Sequence, residues 1–268
     1  MLLPIVVALL FSAASSIFAM FGLGGGLFYA PTLVLLGLPP SAAAFISLVA
    51  ITSTSIAAFA VYKKAEKVSW KLAAVVDPPT DIMAFIGGIY AYLIEREVAL
   101  LILVAVMLIA GWLMLKPTPS SRSTPPWLSH FNIVIKHGNQ RFIVNLPITV
   151  AVTAAIGFAA GAVGITGGVF KVPLMVLLCG VPIDIAVATS SFMVLLTAIF
   201  GLAGHLSAQA AFSAEAPWLL IAVTAAATFL GGALGALKAV KVEKTKLRKG
   251  YSILMFGLAF FIILKELL

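Results

Sequence analysis

The chain has 268 residues, 62% of them hydrophobic and only 10% charged, with a formal net charge of +8 and a mean hydropathy of +1.17. A soluble domain carries about 25% charged residues. Here the charges are also clustered and leave uncharged runs at 1–62, 98–115, 142–170 and 217–237, several of which reach the ~20 apolar residues that cross a bilayer. These features exclude an ordinary soluble enzyme and predict a polytopic α-helical membrane protein. A transmembrane β-barrel would need alternating segments of about ten residues, and none is seen.

The first half reads as apolar segments at about 2–20, 25–37, 41–62, 69–93 and 97–115. Residues 2–20 resemble a signal peptide in apolarity but lack its basic leading region. They also run straight into a glycine-rich break, so they are expected to belong to the mature fold. Residues 116–141, KPTPSSRSTPPWLSHFNIVIKHGNQR, hold four Lys/Arg and no acid and read as a polar linker. The second half has segments at about 144–162, 168–180, 184–206, 215–237 and 247–264. The expected organisation is a first membrane repeat over 1–115, a cytoplasmic linker over 116–143 and a second membrane repeat over 144–268.

The two halves share a pattern. Residues 22–31 read GLGGGLFYAP and residues 164–173 read GITGGVFKVP, identical at five of ten positions. The match extends to Pro39 with Pro182, Ser47 with Ser190, and Gly87-Gly88 with Gly231-Gly232. Ser41 and Asp184 follow the two prolines, and both residue types make good helix N-caps. The second segment of each half spans about 13 residues, or ~20 Å of helix, short of the ~30 Å hydrocarbon core. Each is expected to be a glycine-broken half-helix, preferably in a hairpin whose turn lies at mid-depth. Repeated glycine breaks inside apolar segments point to a transporter site.

Loop charge predicts orientation. Lys63, Lys64, Lys67 and Lys71 follow segment three of the first half, and the equivalent 207–214 has no Lys or Arg. After segment four the bias reverses: Arg96 alone in the first half, against Lys238, Lys241, Lys244, Lys246, Arg248 and Lys249 in the second. The halves are therefore expected to be inverted, with 63–71, 116–141 and 238–249 cytoplasmic and both termini outside.

The two glycine runs, each followed by a Pro-turn and a Ser-containing helix, resemble the sulfite exporter TauE/SafE family of membrane permeases. The resemblance covers about 1–264 and includes the internal duplication. It implies a multi-pass carrier, in most members an exporter, for small sulfur-containing anions such as sulfite or organosulfonates. A channel or permease for other small organic anions is the alternative.

An anion site is expected at the two glycine turns, Gly24, Gly25 and Gly26 in the first half and Thr166, Gly167 and Gly168 in the second. A helix starting there leaves N–H groups without intrahelical partners and presents the positive end of its dipole. Close helix packing is the plainer reading of the glycines. Ser47 and Ser190 are candidate donors to the anion, although membrane serines more often bond between helices. Lys171, which matches Tyr29, stands inside an apolar segment, where a charge is expensive. It could neutralise the anion, pair with a carboxylate, or snorkel to an interface.

Asp77 and Asp81, in VVDPPTDIM, have no acid opposite them in the second half. Their i, i+4 spacing puts both on one helix face, although Pro78 and Pro79 loosen it. They are candidates for proton or cation coupling, with a polar surface or oligomer contact as the plainer reading. An intramembrane enzyme using them is the rival from another class, but no nucleophile–base pair accompanies them. His205 reads as interfacial, and His130 and His137 as solvated. Cys179 stands alone and cannot form an internal disulfide. No metal-ligand spacing, cofactor motif or nucleic-acid patch is present. The expected partners are a small anion, the lipid bilayer and a coupling ion, with an oligomer left open.

Overall fold

The structure, a computed structural model, describes residues 2–90, 95–116, 130–138, 140–163, 168–207 and 218–267. They form ten helices and one β-hairpin: α1 Leu2–Met20, α2 Gly26–Leu35, α3 Pro40–Lys64, α4 Trp70–Ile89, α5 Arg96–Leu115, β1 Asn132–His137, β2 Gln140–Asn145, α6 Leu146–Val163, α7 Gly168–Leu178, α8 Ile183–Ser207, α9 Trp218–Lys241 and α10 Lys244–Leu267. Five helices, α3, α4, α8, α9 and α10, are long and apolar enough to cross a membrane. Phe85, Leu101, Phe200, Leu219 and Ile253 are more than two-thirds exposed, as side chains facing lipid would be. The protein is an all-α polytopic membrane protein with one short hairpin added.

The compact units do not follow the two halves of the sequence. The first comprises 1–68 with 187–241, and the second 69–186 with 242–268. Within the first unit α1 packs along α9, and within the second α4 packs along α6. Helix one of each half thus lies against helix four of the other.

Both pairings depend on glycines four residues apart, which let helix backbones approach closely. A Cβ on Gly231 or Gly235 of α9 would collide with the Ser12 or Ser16 carbonyl of α1. A Cβ on Gly157 or Gly161 of α6 would collide with the Thr80 or Ala84 carbonyl of α4. Gly88, expected to match Gly232 as a packing glycine, has only the Gly161 carbonyl near its Cβ position, at 3.8 Å.

The polar linker contains structure the sequence reading missed. β1 and β2 pair antiparallel from Asn132↔Asn145 to His137↔Gln140, with Gly138 at φ 54° between them. Two apolar-alternating runs split by Gly138-Asn139 are the signal that was available. His137 therefore lies half-buried in a strand, while His130 is exposed. Asn145 closes the hairpin through Asn132 Oδ1 at 2.9 Å. Its Oδ1 also accepts the Ile148 N–H at 3.2 Å, which starts α6.

The expected caps at Ser41 and Asp184 are corrected. Pro39 and Pro182 carbonyls take the first helical bonds of α3 and α8, from Ala43 and Ala186 at 2.9 and 3.0 Å. Ser41 and Asp184 thus sit one step inside the helices, and Pro40 has no N–H to cap. The Asp184 carboxylate instead pairs with Lys244 at 3.3 Å.

Candidate functional site

In the first unit, the turn between α1 and α2 does two jobs. Gly22, at φ 67°, ends α1: Leu23 N–H reaches back to the Phe18 carbonyl at 3.0 Å, the bond of a Schellman stop. Gly24 and Gly25, at φ 73° and 91°, then redirect the chain into α2, a conformation that costs other residues about 1–2 kcal/mol. The N-cap of α2 is Gly25, which has no side-chain capping bond. The chain doubles back here, since the Tyr29 ring lies 4.7 Å from Phe11 and 6.4 Å from Phe18 of α1.

The turn is buried between α3 and α8. A Cβ at Gly24 would stand 2.5 Å from Val194 Cγ1 and 3.0 Å from Ile51 Cγ2. Ser190 Oγ donates to the Gly22 carbonyl at 2.8 Å, so this candidate serine meets the first glycine turn and holds its backbone. Ser47 is buried on α3. Most neighbouring hydroxyls serve their own helix: Thr54, Ser191 and Thr197 donate four residues back to Ala50, Val187 and Met193. Gly26, the first residue of α2, is half-buried.

Tyrosines complete this turn. Tyr29, wholly buried, shares a hydrogen bond with Thr54 Oγ1 at 3.2 Å. Tyr62 donates to the Ala19 carbonyl at 2.9 Å, near the end of α1. The sequence assigns neither tyrosine a role, because an aromatic in an apolar run reads as core.

In the second unit the counterpart turn, including Thr166 and Gly167, lies outside the described residues. Gly168 begins α7 and is buried, as is every residue from it to Val176. Pro173 offers no N–H to the Val169 carbonyl, which would accept it in an unbroken helix. The Tyr251 hydroxyl of α10 donates to that carbonyl instead, at 2.7 Å.

Lys171 projects from α7 to α4. Its Nζ lies 2.5 Å from Asp77 Oδ1 and 3.0 Å from Asp81 Oδ1. The lysine side chain is 1% exposed, that of Asp77 9% and that of Asp81 31%. Burial removes the snorkelling reading of Lys171 and the polar-surface reading of Asp77. Despite Pro78 and Pro79, α4 is continuous over Trp70–Ile89, and the i, i+4 carboxylates do share a face. Both partners on α4 come from the same unit as α7. The side chain of His205 lies outside the described residues. Cys179 is buried.

A family model described as "Sulfite exporter TauE/SafE" matches residues 7–262. The chain is 26% identical over 240 residues to "Probable membrane transporter protein YunE" of Bacillus subtilis (strain 168), covering 83% of this chain and 84% of that one. It is also 26% identical over 278 residues to a "Probable membrane transporter protein" of Haemophilus influenzae, covering 97% of this chain and 98% of the relative. No solved structure matches.

Proposed function

Because the chain belongs to the TauE/SafE sulfite exporter family, a family of multi-pass membrane transporters, we propose that it exports small sulfur-containing anions such as sulfite or organosulfonates across the cell membrane. The observation that carries this reading is the buried turn Gly22–Gly25, with three left-handed glycines leading into a helix whose first turn has no side-chain cap. N–H groups and the helix dipole there suit an anion without a formal positive charge.

The reading assigns anion contact to this turn rather than to Lys171, whose ammonium is engaged by two carboxylates. Turns at helix ends that must be reached from either side in turn fit alternating access better than an open pore. Lys/Arg-rich loops at 63–71, 116–141 and 238–249 support inverted halves with both termini outside.

A thermal-shift panel of sulfite, sulfoacetate, taurine, thiosulfate and simple carboxylates on purified protein tests the substrate class. Stabilisation by sulfur oxyanions or sulfonates is the expected result, and stabilisation by carboxylates alone would overturn it. Reporter fusions at 68, 130 and 245 test orientation, and an extracytoplasmic signal at any of the three would sink the inverted arrangement.

A further inference from the structure

We propose that Asp81 carries a proton through the transport cycle, with Lys171 and Asp77 as the fixed ion pair beside it; this rests on the transporter reading above. Two carboxylates converge on one ammonium in the interior of the second unit. Their positions are unequal. Asp77 makes the shorter bond and is nearly sealed, while Asp81 makes the longer one and is about one-third exposed. Asp81 is the less enclosed of the two carboxylates and the one that gives up less on leaving the ammonium.

The same geometry argues for a proton rather than a metal cation. Lys171 Nζ already fills the place between the two carboxylates, and a cation bound there would have to displace it. A proton needs no room. In the charged state the three groups sum to −1. A proton from water on one side binds a carboxylate oxygen of Asp81, and the sum becomes zero. The ammonium keeps its three protons and its bond to Asp77. Release of the same proton to the other side restores the first state, and only an O–H bond has formed and broken.

Protonation also has a mechanical consequence. Lys171 ties α7 to α4 on both sides of Pro78-Pro79, where the Ala74 and Val75 carbonyls have no N–H to receive from the prolines. A hydrogen bond between two charged groups is about twice as strong as one between neutral groups. Neutral Asp81 therefore holds α7 less firmly, and only the Asp77 side of the tie keeps full strength.

Among the described residues, the surrounding elements carry the following titratable groups. α6, packed along α4, has no titratable residue. α5 begins with Arg96 and Glu97, the latter exposed. α4 itself carries Lys71 in its first turn. From α10, Tyr251 reaches α7, donating to the Val169 carbonyl.

The test uses full-length protein in liposomes with an internal pH dye and a methanesulfonate gradient, since this strong-acid anion carries no proton of its own near neutrality. Wild-type anion flux should move protons with it and respond to an imposed pH gradient. Asp81→Asn should move anion with no accompanying protons, and Asp81→Glu should restore the coupling. Proton movement that persists undiminished in Asp81→Asn would overturn the proposal, as would a flux that requires Na+ and ignores the pH gradient. Infrared titration of substrate-free protein gives a reading independent of the substrate. With isotope-labelled aspartate, a carboxyl band should appear on acidification and leave the labelled set in Asp81→Glu. Absence of such a band overturns the proposal. A band present in protein that moves no sulfonate upholds the proton site and sinks only the substrate reading.

Discussion

Tyr29 and Lys171 occupy the same place in the two repeated segments, one turn into a short helix that follows a glycine break, yet they meet opposite kinds of partner. In the first unit Tyr29 shares a neutral hydrogen bond with Thr54 of α3. In the second, Lys171 is caught between Asp77 and Asp81 of α4. The helices around them differ in the same sense. Only Tyr29 and Leu33 of α2 are buried, whereas α7 is buried from Gly168 to Val176. Two similar sequence motifs thus carry two chemistries. A tyrosine hydroxyl can be satisfied by one neighbour, but a buried ammonium needs carboxylates and hydrogen bonds together. The acids on α4 have no counterpart on α9, where the equivalent stretch is VTAAATF.

Removing Lys171 should break this contrast most severely. Lys171→Ala leaves two carboxylates without their ammonium, and breaking a buried pair costs about 3–5 kcal/mol. We expect a large drop in melting temperature in detergent. Lys171→Ala combined with Asp77→Asn should recover more of it than the combination with Asp81→Asn, because Asp77 is the deeper carboxylate. Equal recovery from both would erase the distinction drawn between them.

The next effect is on the first turn. Gly24→Val meets Val194 and Ile51, and Gly25→Val meets the Tyr29 ring at 2.6 Å. Both also force a β-branched residue to positive φ, which adds strain of about 1–3 kcal/mol. Transport should be lost while folded protein still reaches the membrane. Full activity in either variant would remove that residue from the anion site.

Tyr29→Phe should be milder, at about 1 kcal/mol for one neutral hydrogen bond, and transport should survive. A loss as large as that of Lys171→Ala would show that the two positions are energetically alike after all. The smallest effect belongs to the pair of Lys244, half-exposed, with Asp184, whose side chain is 12% exposed. Lys244→Ala should shift stability by about 1 kcal/mol, because the lysine end of the pair stays in solvent, and a much larger shift in the melting curve would make that pair structural.

Much of the helical framework was legible because apolar length is a local property. The short second segments, the glycine breaks and the polar link between halves can all be read from runs and interruptions along the chain. The β-hairpin at 132–145 was missed although its alternation was visible, because a Pro- and Ser-rich context drew attention to its polarity. The caps at Pro39 and Pro182 lie two positions before Ser41 and Asp184. Residue type favours Ser and Asp, but the preceding prolines had already set where the helices begin.

What the sequence determined by itself is therefore the class of protein and its apolar segments, since each follows from the cost of placing polar groups in lipid. Only the tertiary structure decided that helix one of each half packs on helix four of the other, through Gly231 and Gly235 on one side and Gly157 and Gly161 on the other. It also brought Lys171 to Asp77 and Asp81, because a lysine ninety residues or more from either aspartate in the chain finds them only when the fold puts α7 within a side chain's reach of α4. Pairing of distant charges depends on how helices pack, and helix packing is a long-range choice that no local run of residues records.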